Sequence, residues 1–497
     1  MEKEKKESKI SRRNFIGNVA ATTAGITILP SYVVGGLGHT PPSDKLNIAG
    51  VGVGGMGRSN INNLNSENIV ALCDVDWEYA AKCFKDYPNA KQYKDYRKML
   101  DEMKDSIDAV VIATPDHTHA IITTASMSLG KHVYVQKPLT HSVYESRVLR
   151  EMAKEYKVAT QMGNQGNSGE GIRKTCEWIW DGAIGEIERV HAWTNRPIWP
   201  QGLERPAEMP PVPETLAWDL FIGTAPYRPY HPAYTPWNWR AWWDFGTGAL
   251  GDMACHILDP AFWALNLGHP IAVQGSSTQL NTESAPHASV IHYEFPEREK
   301  IGNTNMRPVK LTWYDGGLLP KRPEELEDGI VLGNDPGGGV IFVGTKGKLM
   351  CGCYGRNPVL LPKSLMEEYE EPPKTLRRIE KAMGGGHEMD WVRACKESPE
   401  NRVLTSSNFD YSGPLNEMVV MGNLAIRLQN LRRKLLWDGE NMKITNISDS
   451  DMMSVVTTDK FEVVDGDPKW DTKRIRIPAK AAAEEYIKHN YREGWSL

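Results

Sequence analysis

From residue 45 the chain alternates short continuous apolar runs with longer stretches of helical spacing. "KLNIAGV", "IVALCDVD", "IDAVVIATP", "KHVYVQKP" and "VATQMGNQG" are strand-length with short apolar centres, the pattern of strands covered on both faces. Between them, Arg58 to Asn65, "DHTHAIITTASMSLG" and "SVYESRVLREMAKEYK" have helical periodicity. Asp116 is the candidate cap of the second of these helices and Gly130 its stop. Strands alternating with helices of this length predict a parallel, doubly wound sheet. After Gly163 the pattern changes. A helix carries Trp178 and Trp180, a glycine turn at Gly182–Gly185 leads into a strand, and another helix begins near Gly248. "AVQGSSTQL", "SVIHYEF", "VKLTWYDG" and "GVIFVGTKGKLMCG" then alternate between turn glycines, which predicts a largely antiparallel sheet. Further helices are predicted at "GGGHEMDWVRACK" and from Leu415 to about Lys434.

At 497 residues the chain is too long for one ordinary core, and 40% hydrophobic content is that of a globular protein. A net charge of -5 argues against a nucleic-acid partner, which selects a basic face. The seven cysteines are odd in number and scattered, so no disulfide framework is expected. Cys351 and Cys353 are too close for a zinc knuckle, and no metal site is expected. Unpaired cysteines fit folding in a reducing compartment. Ser11-Arg12-Arg13-Asn14-Phe15-Ile16, followed by the weakly apolar Ile16–Leu29, has the form of a twin-arginine export signal; the alternative is a frayed basic amphipathic helix. A signal of this kind implies a protein exported folded to the periplasm. No other stretch approaches the ~18 apolar residues of a membrane span, so no membrane insertion is expected after export.

Gly52-Val53-Gly54-Gly55-Met56-Gly57 is G-x-G-x-x-G with a strand before it and a helix behind. Asp74 lies 22 residues beyond Gly52, at the end of the next strand. Glycines there let the backbone approach a pyrophosphate, and an acid at that distance accepts hydrogen bonds from a ribose. The acid also repels a 2′-phosphate, which favours NAD over NADP. A glycine-rich turn in some other α/β domain is the alternative. The fold class is therefore an α/β Rossmann N-terminal domain plus an α+β C-terminal domain with a large, mainly antiparallel sheet. The expected division is a leader over 1–40, an NAD-binding domain over 44–163, a substrate and oligomerisation domain over 164–434, and a tail over 435–497 packing back on the body.

The glycine motif, then "ATPDHTHA", then "KHVYVQKPLT" together resemble the glucose–fructose oxidoreductase/inositol dehydrogenase (Gfo/Idh/MocA) family from roughly Lys45 to Leu267. The resemblance implies that Lys137, in the place of the family's E-K-P lysine, lies beside the nicotinamide and the reacting sugar. This chain departs at the preceding residue, where Gln136 replaces the usual Glu. The implied cofactor contacts are Gly52, Gly54, Gly55, Met56, Gly57, Asp74, Thr114, Pro115, His117, His119, Gln136, Lys137 and Asn164.

Ten of the sixteen tryptophans fall between Trp178 and Trp263. They form either a packed core or, in the Pro-broken loops, stacking faces for a sugar ring, with Trp199, Trp237, Trp239, Arg240 and Arg173 as substrate-facing candidates. Asp252 and His256 stand one helical turn apart in "LGDMACHILD". No further ligands stand nearby for a metal, so the pair is either a satisfied core histidine or an acid–base couple, and His387 is a weaker candidate. The family carries acid-x-x-x-His together with the lysine. On that resemblance His256 is the acid–base group, Asp252 its orienting partner or a substrate ligand, and Lys137 the stabiliser of an alkoxide. The expected activity is NAD-dependent oxidation or reduction of a ring hydroxyl of a sugar or glycoside, with tightly bound cofactor, in a homodimer or homotetramer assembled through the C-terminal sheet. The alternatives are an NAD-dependent glycosidase working by transient oxidation and elimination, and a non-catalytic NAD- or sugar-binding sensor.

Overall fold

The computed structural model describes residues 44–497; the expected export signal, with Arg12 and Arg13, lies outside the described residues. The apolar runs form β1 (Asn47–Val51), β2 (Asn68–Cys73), β3 (Lys91–Tyr93), β4 (Ala109–Ile112), β5 (His132–Val135) and β6 (Thr160–Met162). Their order is β3-β2-β1-β4-β5-β6, all parallel, with Ile48 opposite Ala109 and Val51 opposite Ile112 in the central pair. Helices α1 (Met56–Asn63), α2 (Trp77–Asp86), α3 (Tyr96–Met103), α4 (Asp116–Ser128) and α5 (Val143–Tyr156) supply the crossovers. Winding reverses between β1 and β4, and a cleft opens outside the carboxyl ends of the strands at such a switch point. Ser142 and Glu145 close a capping box on α5. Asp116 does not cap α4. Pro115 precedes the helix without a side-chain bond, and the Asp116 carboxylate is buried against the Thr247 hydroxyl at 2.6 Å.

The second domain contains α6 (Glu170–Asp181), β7 (Ile187–Thr194), α7 (Trp218–Ile222), α8 (Gly248–Ile257), α9 (Asp259–Ala264), β8 (Ala272–Ser277), β9 (Ser289–Phe295), the hairpin β10 (Arg298–Ile301) and β11 (Thr304–Met306), β12 (Val309–Tyr314), β13 (Gly338–Gly344), β14 (Lys348–Gly352), β15 (Val359–Leu361) and α10 (Lys363–Glu368). Then follow α11 (His387–Cys395), α12 (Phe409–Arg427), β16 (Leu435–Asp438) and β17 (Lys443–Ile444). The chain ends with a long ribbon, β18 (Met452–Val464) and β19 (Asp467–Pro478), and α13 (Ala479–Ile487). The large sheet runs β15-β14-β13-β7-β12-β9-β8-β16-β17 and is antiparallel except where β7 meets β12. α8 and α12 cover it, and their Leu250, Met253, Met421 and Leu424 share one core with Ile291, Tyr293 and Trp313 of the strands. α12 begins at Phe409, ahead of the expected Leu415, because Asn408 caps it and Pro414 is accommodated inside; it stops at Arg427, short of the expected Lys434. α11 completes the first domain rather than the second. Its Trp391 is fully buried with Ile48, Leu72 and Tyr134, the Tyr134 ring 5.8 Å away. All seven cysteines are buried and unpaired, as core residues.

Candidate active site

The turn after β1 admits only glycine where it matters. Gly52 has φ +78°, and a Cβ there would lie 2.6 Å from the Thr114 amide nitrogen. A Cβ on Gly57 would lie 1.9 Å from the Gly52 carbonyl oxygen. The loop is thereby pressed against the end of β4. No side chain caps α1, so its first amides remain available to an anion. Asp74, at the end of β2, accepts hydrogen bonds from the amides of Gly54 (3.1 Å) and Asp76 (3.0 Å). Burial pushes its carboxyl up to about 6. One cleft joins Gly52, Gly54, Gly55, Met56 and Asp74 to Thr114, Pro115, Gln136 and Lys137. Glycine cradle, bare helix end and ribose-facing acid are the donor set a dinucleotide requires, and the residues present fit one.

At the other end of the cleft, Lys137 Nζ donates to the Asp252 carboxylate and to its backbone carbonyl, both at 2.8 Å. Arg240 Nε reaches the same carboxylate oxygen at 3.2 Å. Burial works to raise the Asp252 carboxyl, but the two cations outweigh it and hold it well below the usual carboxylate range. Trp237 and Trp239 flank the Arg240 guanidinium at 4.1 and 4.3 Å from their ring centres, and both line the cleft.

His256 lies one turn further along α8, deeper than the cleft wall. Burial, with the nearby Lys137 charge, keeps its imidazole pKa well below 6.5. Its Nδ1 is buried without a partner. The Tyr354 ring, turned over it by a left-handed backbone (φ 63°), sits 4.5 Å away. Asp252 and His256 do share a helix face, but the expectation that Asp252 orients the imidazole is corrected: its carboxylate is taken by Lys137 and Arg240.

Several expected contacts are turned away from the cleft. His117 faces the carbonyls of Phe245, Phe221 and Ile222, and His119 those of Pro138 and Thr114, so both brace backbone segments rather than meeting a cofactor. Asn164 is fully buried and donates to Asp259 at 2.9 Å. Arg173 is buried on the carbonyls of Arg377, Asn167 and Gly169 and the Ser406 hydroxyl, which commits four of its five N–H donors inside the protein. Trp199 is core, 5% exposed, with its Nε1 on Gln201; Trp237, at 46%, is open. His387 is buried between Ser168 and the Met162 carbonyl.

Two features carry no sequence signal. One is Tyr354 over His256. The other is a buried chain of amides behind Gln136: Gln136 Nε2 donates to Asn60 Oδ1 (2.9 Å), and Asn60 Nδ2 donates to Glu388 Oε1 (2.8 Å), which also accepts from Asn63 Nδ2 (3.0 Å). Gln136 Oε1 accepts from the Lys137 amide at 3.3 Å. The carboxylate absent from position 136 is thus supplied by Glu388, one side chain further back.

Residues 46–164 match the sequence model "Oxidoreductase family, NAD-binding Rossmann fold", and residues 186–302 match "Oxidoreductase family, C-terminal alpha/beta domain". Among curated proteins, the chain is 25% identical over 262 residues to a levoglucosan dehydrogenase of Pseudarthrobacter phenanthrenivorans, covering 52% of this chain and 54% of that protein. It is 26% identical over 206 residues to a glycosyl hydrolase family 109 protein of a Shewanella species, covering 36% and 44%. The chain thus spans about half the length of the curated relatives it matches. Among solved structures, a levoglucosan dehydrogenase in complex with NADH and L-sorbose superposes with a TM-score of 0.52 at 17% identity, over 79% of this chain and 98% of that one. That likeness establishes the shared fold.

Proposed function

We propose, on the premise that this chain is a Gfo/Idh/MocA family oxidoreductase with an NAD-binding Rossmann domain, that it moves a hydride between NAD and a ring carbinol of a sugar or glycoside. One observation carries this reading. The Lys137–Asp252–Arg240 ion cluster, flanked by the rings of Trp237 and Trp239, opens on the same cleft as the glycine turn and Asp74.

The turn at Gly52–Gly57 and Asp74 are the residues to hold the dinucleotide, whose nicotinamide accepts or returns the hydride. Asp252, kept ionised by two cations, is suited to accept a hydrogen bond from a substrate hydroxyl and to fix the sugar's rotation. Lys137 is placed to stabilise an oxygen that gains negative charge as its proton leaves. His256, held neutral with Nδ1 unpartnered, has the capacity to take that proton. Trp237 and Trp239 offer apolar faces to a pyranose. The Tyr354 ring covers the imidazole, so a substrate reaching His256 has to pass beneath or displace it.

The expected twin-arginine leader belongs to the same proposal. A periplasmic enzyme keeps its cofactor bound and recycles it within the site, and assembly through the large sheet is part of the reading. The test is to mix the purified protein with NAD and a panel of sugars and glycosides and to follow nicotinamide absorbance and keto-sugar formation. Reduction without release of an aglycone supports the dehydrogenase. Release of the aglycone with no net reduction supports the glycosidase alternative, which the family 109 relative favours. Ligand binding without turnover supports the sensor.

A further inference from the structure

The last residues of the chain return to the nucleotide end of the cleft. Trp495 lines the same cavity as Gly52, Gly54 and Asp74, alongside Lys94, Asp95 and Tyr96, which follow β3, and Ile122 of α4. In a sheet of this order the ribose-facing acid at the end of β2 sets the adenosine half of a dinucleotide over the ends of β2 and β3. That is the wall Trp495 joins, remote in the cleft from the Lys137–Asp252 pair.

The indole is held there by several anchors. The Arg97 guanidinium lies over its ring at 4.7 Å, and Arg97 is itself paired with Asp95 at 2.7 Å. Its own amide donates to the Arg492 carbonyl at 3.1 Å. Arg492 donates through its amide to Thr224 O (3.0 Å), and through its guanidinium to the Asp219 carboxylate (2.5 Å) and the Gly223 carbonyl (3.2 Å). Tyr491 Oη donates to Glu145 Oε1 at 2.5 Å, a carboxylate buried in the capping box of α5. The tail thus ties α5, the segment after α7 and α3 together and ends with a half-exposed aromatic face in the cavity. One face of that ring is occupied by Arg97. The other face is a platform for a planar base, since every base offers a π-face to an aromatic ring.

We propose that Trp495 is a cofactor-binding residue that covers the adenine of the dinucleotide, so that the C-terminal segment keeps the cofactor in place. The inference rests on the NAD reading above and adds a residue far from both the glycine motif and the acid that mark the site in the sequence.

The test uses the full chain and three probes: NAD, ADP-ribose and nicotinamide mononucleotide, each titrated calorimetrically against wild type, Trp495→Ala and Trp495→Phe. Loss of one base–aromatic stack weakens binding by about 5- to 150-fold. The expected result is a fall in that range for NAD and ADP-ribose with Trp495→Ala, recovery with Trp495→Phe, no change for nicotinamide mononucleotide, and an unchanged melting temperature of the cofactor-free protein. Equal binding of ADP-ribose by wild type and Trp495→Ala overturns the proposal and leaves the NAD reading intact. A parallel loss of nicotinamide mononucleotide binding, or a large drop in melting temperature, also overturns it by showing a general structural role. Wild-type protein that binds neither NAD nor ADP-ribose overturns the NAD reading itself.

Discussion

The amide chain behind Gln136 has a direction, and reversing that direction is a quantitative test of how Lys137 is held. Glu388 can only accept, so Asn60 must turn its NH₂ to it, Gln136 must donate to Asn60 Oδ1, and Gln136 Oε1 is left for the Lys137 amide. Gln136→Glu breaks the chain: a carboxylate then faces Asn60 Oδ1, and rotating Asn60 merely moves the clash to Glu388. All three side chains are buried, so at least one polar group is orphaned, at roughly 1–3 kcal/mol, with repulsion between two carboxylates added. A loss of about 3 kcal/mol is expected. Glu388→Gln keeps an acceptor for Asn60 and Asn63 but removes the charge from two hydrogen bonds, for about 1–2 kcal/mol. In the double variant the whole chain reverses: the new amide at position 388 donates one hydrogen to Asn60 Oδ1 and the other to Asn63 Oδ1, which turns over to accept it, and Asn60 donates to the new carboxylate at position 136, so every group is satisfied. The pair should therefore be about 2 kcal/mol less destabilised than the sum of the singles. Urea denaturation of the four proteins, with the slope compared across the set, measures that coupling. Additivity to within about 0.5 kcal/mol refutes the relay.

Five further outcomes follow from the site. His256→Asn should lower kcat by about 10²- to 10⁴-fold while leaving NAD affinity unchanged; an unaltered kcat removes His256 from the chemistry. Because the folded imidazole titrates below its ordinary 6.5 and works as the neutral form, the acidic limb of the wild-type rate profile should lie below that pH, and His256 contributes stability that is lost as pH falls through this lowered pKa; a limb centred at or above 6.5 contradicts the assignment. Gly57→Ala, with its Cβ 1.9 Å from the Gly52 carbonyl oxygen, should open the turn, cost about 1–3 kcal/mol and abolish NAD binding by calorimetry. Asp74→Ala should weaken NAD and narrow its advantage over NADP, since the ribose acceptor and the source of repulsion disappear together. Arg173→Met should cost about 3 kcal/mol in denaturation, from buried carbonyls left without a donor, yet leave KM for the sugar unchanged.

What the sequence disclosed was mostly local. Continuous apolar runs mark parallel strands because both faces are covered, and the glycine spacing with Asp74 marks the turn because sterics there act within one strand–turn–helix unit. Helical spacing places Asp252 and His256 on one face, but it cannot say which neighbour claims a carboxylate. Lys137 arrives from the first domain and Arg240 from the turn twelve residues before Asp252, and two full charges outcompete one neutral imidazole. The same limit applies to the tryptophan-rich segment. Trp199 and Trp237 look alike in a Pro-broken loop, and burial is decided by what packs above them: Trp199 meets Gln201 within an aromatic core, whereas Trp237 is about half exposed with the Arg240 guanidinium over its ring. Arg173 has a substrate-binding residue's chemistry, but the loops that supply its partners, the Arg377 carbonyl and the Ser406 hydroxyl, lie far along the chain.

The placement of α11 bears on how the molecule is made. Trp391 fills the interior of a sheet whose strands are finished by Met162, so a ribosome has released the entire nucleotide-binding sequence long before the piece that seals it emerges. At ordinary elongation speeds of about 5–20 residues per second, the unsealed layer persists for ten seconds or more. A fragment ending after β6 would therefore be an open half-shell rather than an autonomous module, and nicking the long intervening stretch would yield two pieces that remain clasped. Synthesis must run nearly to completion before the first domain acquires its final form.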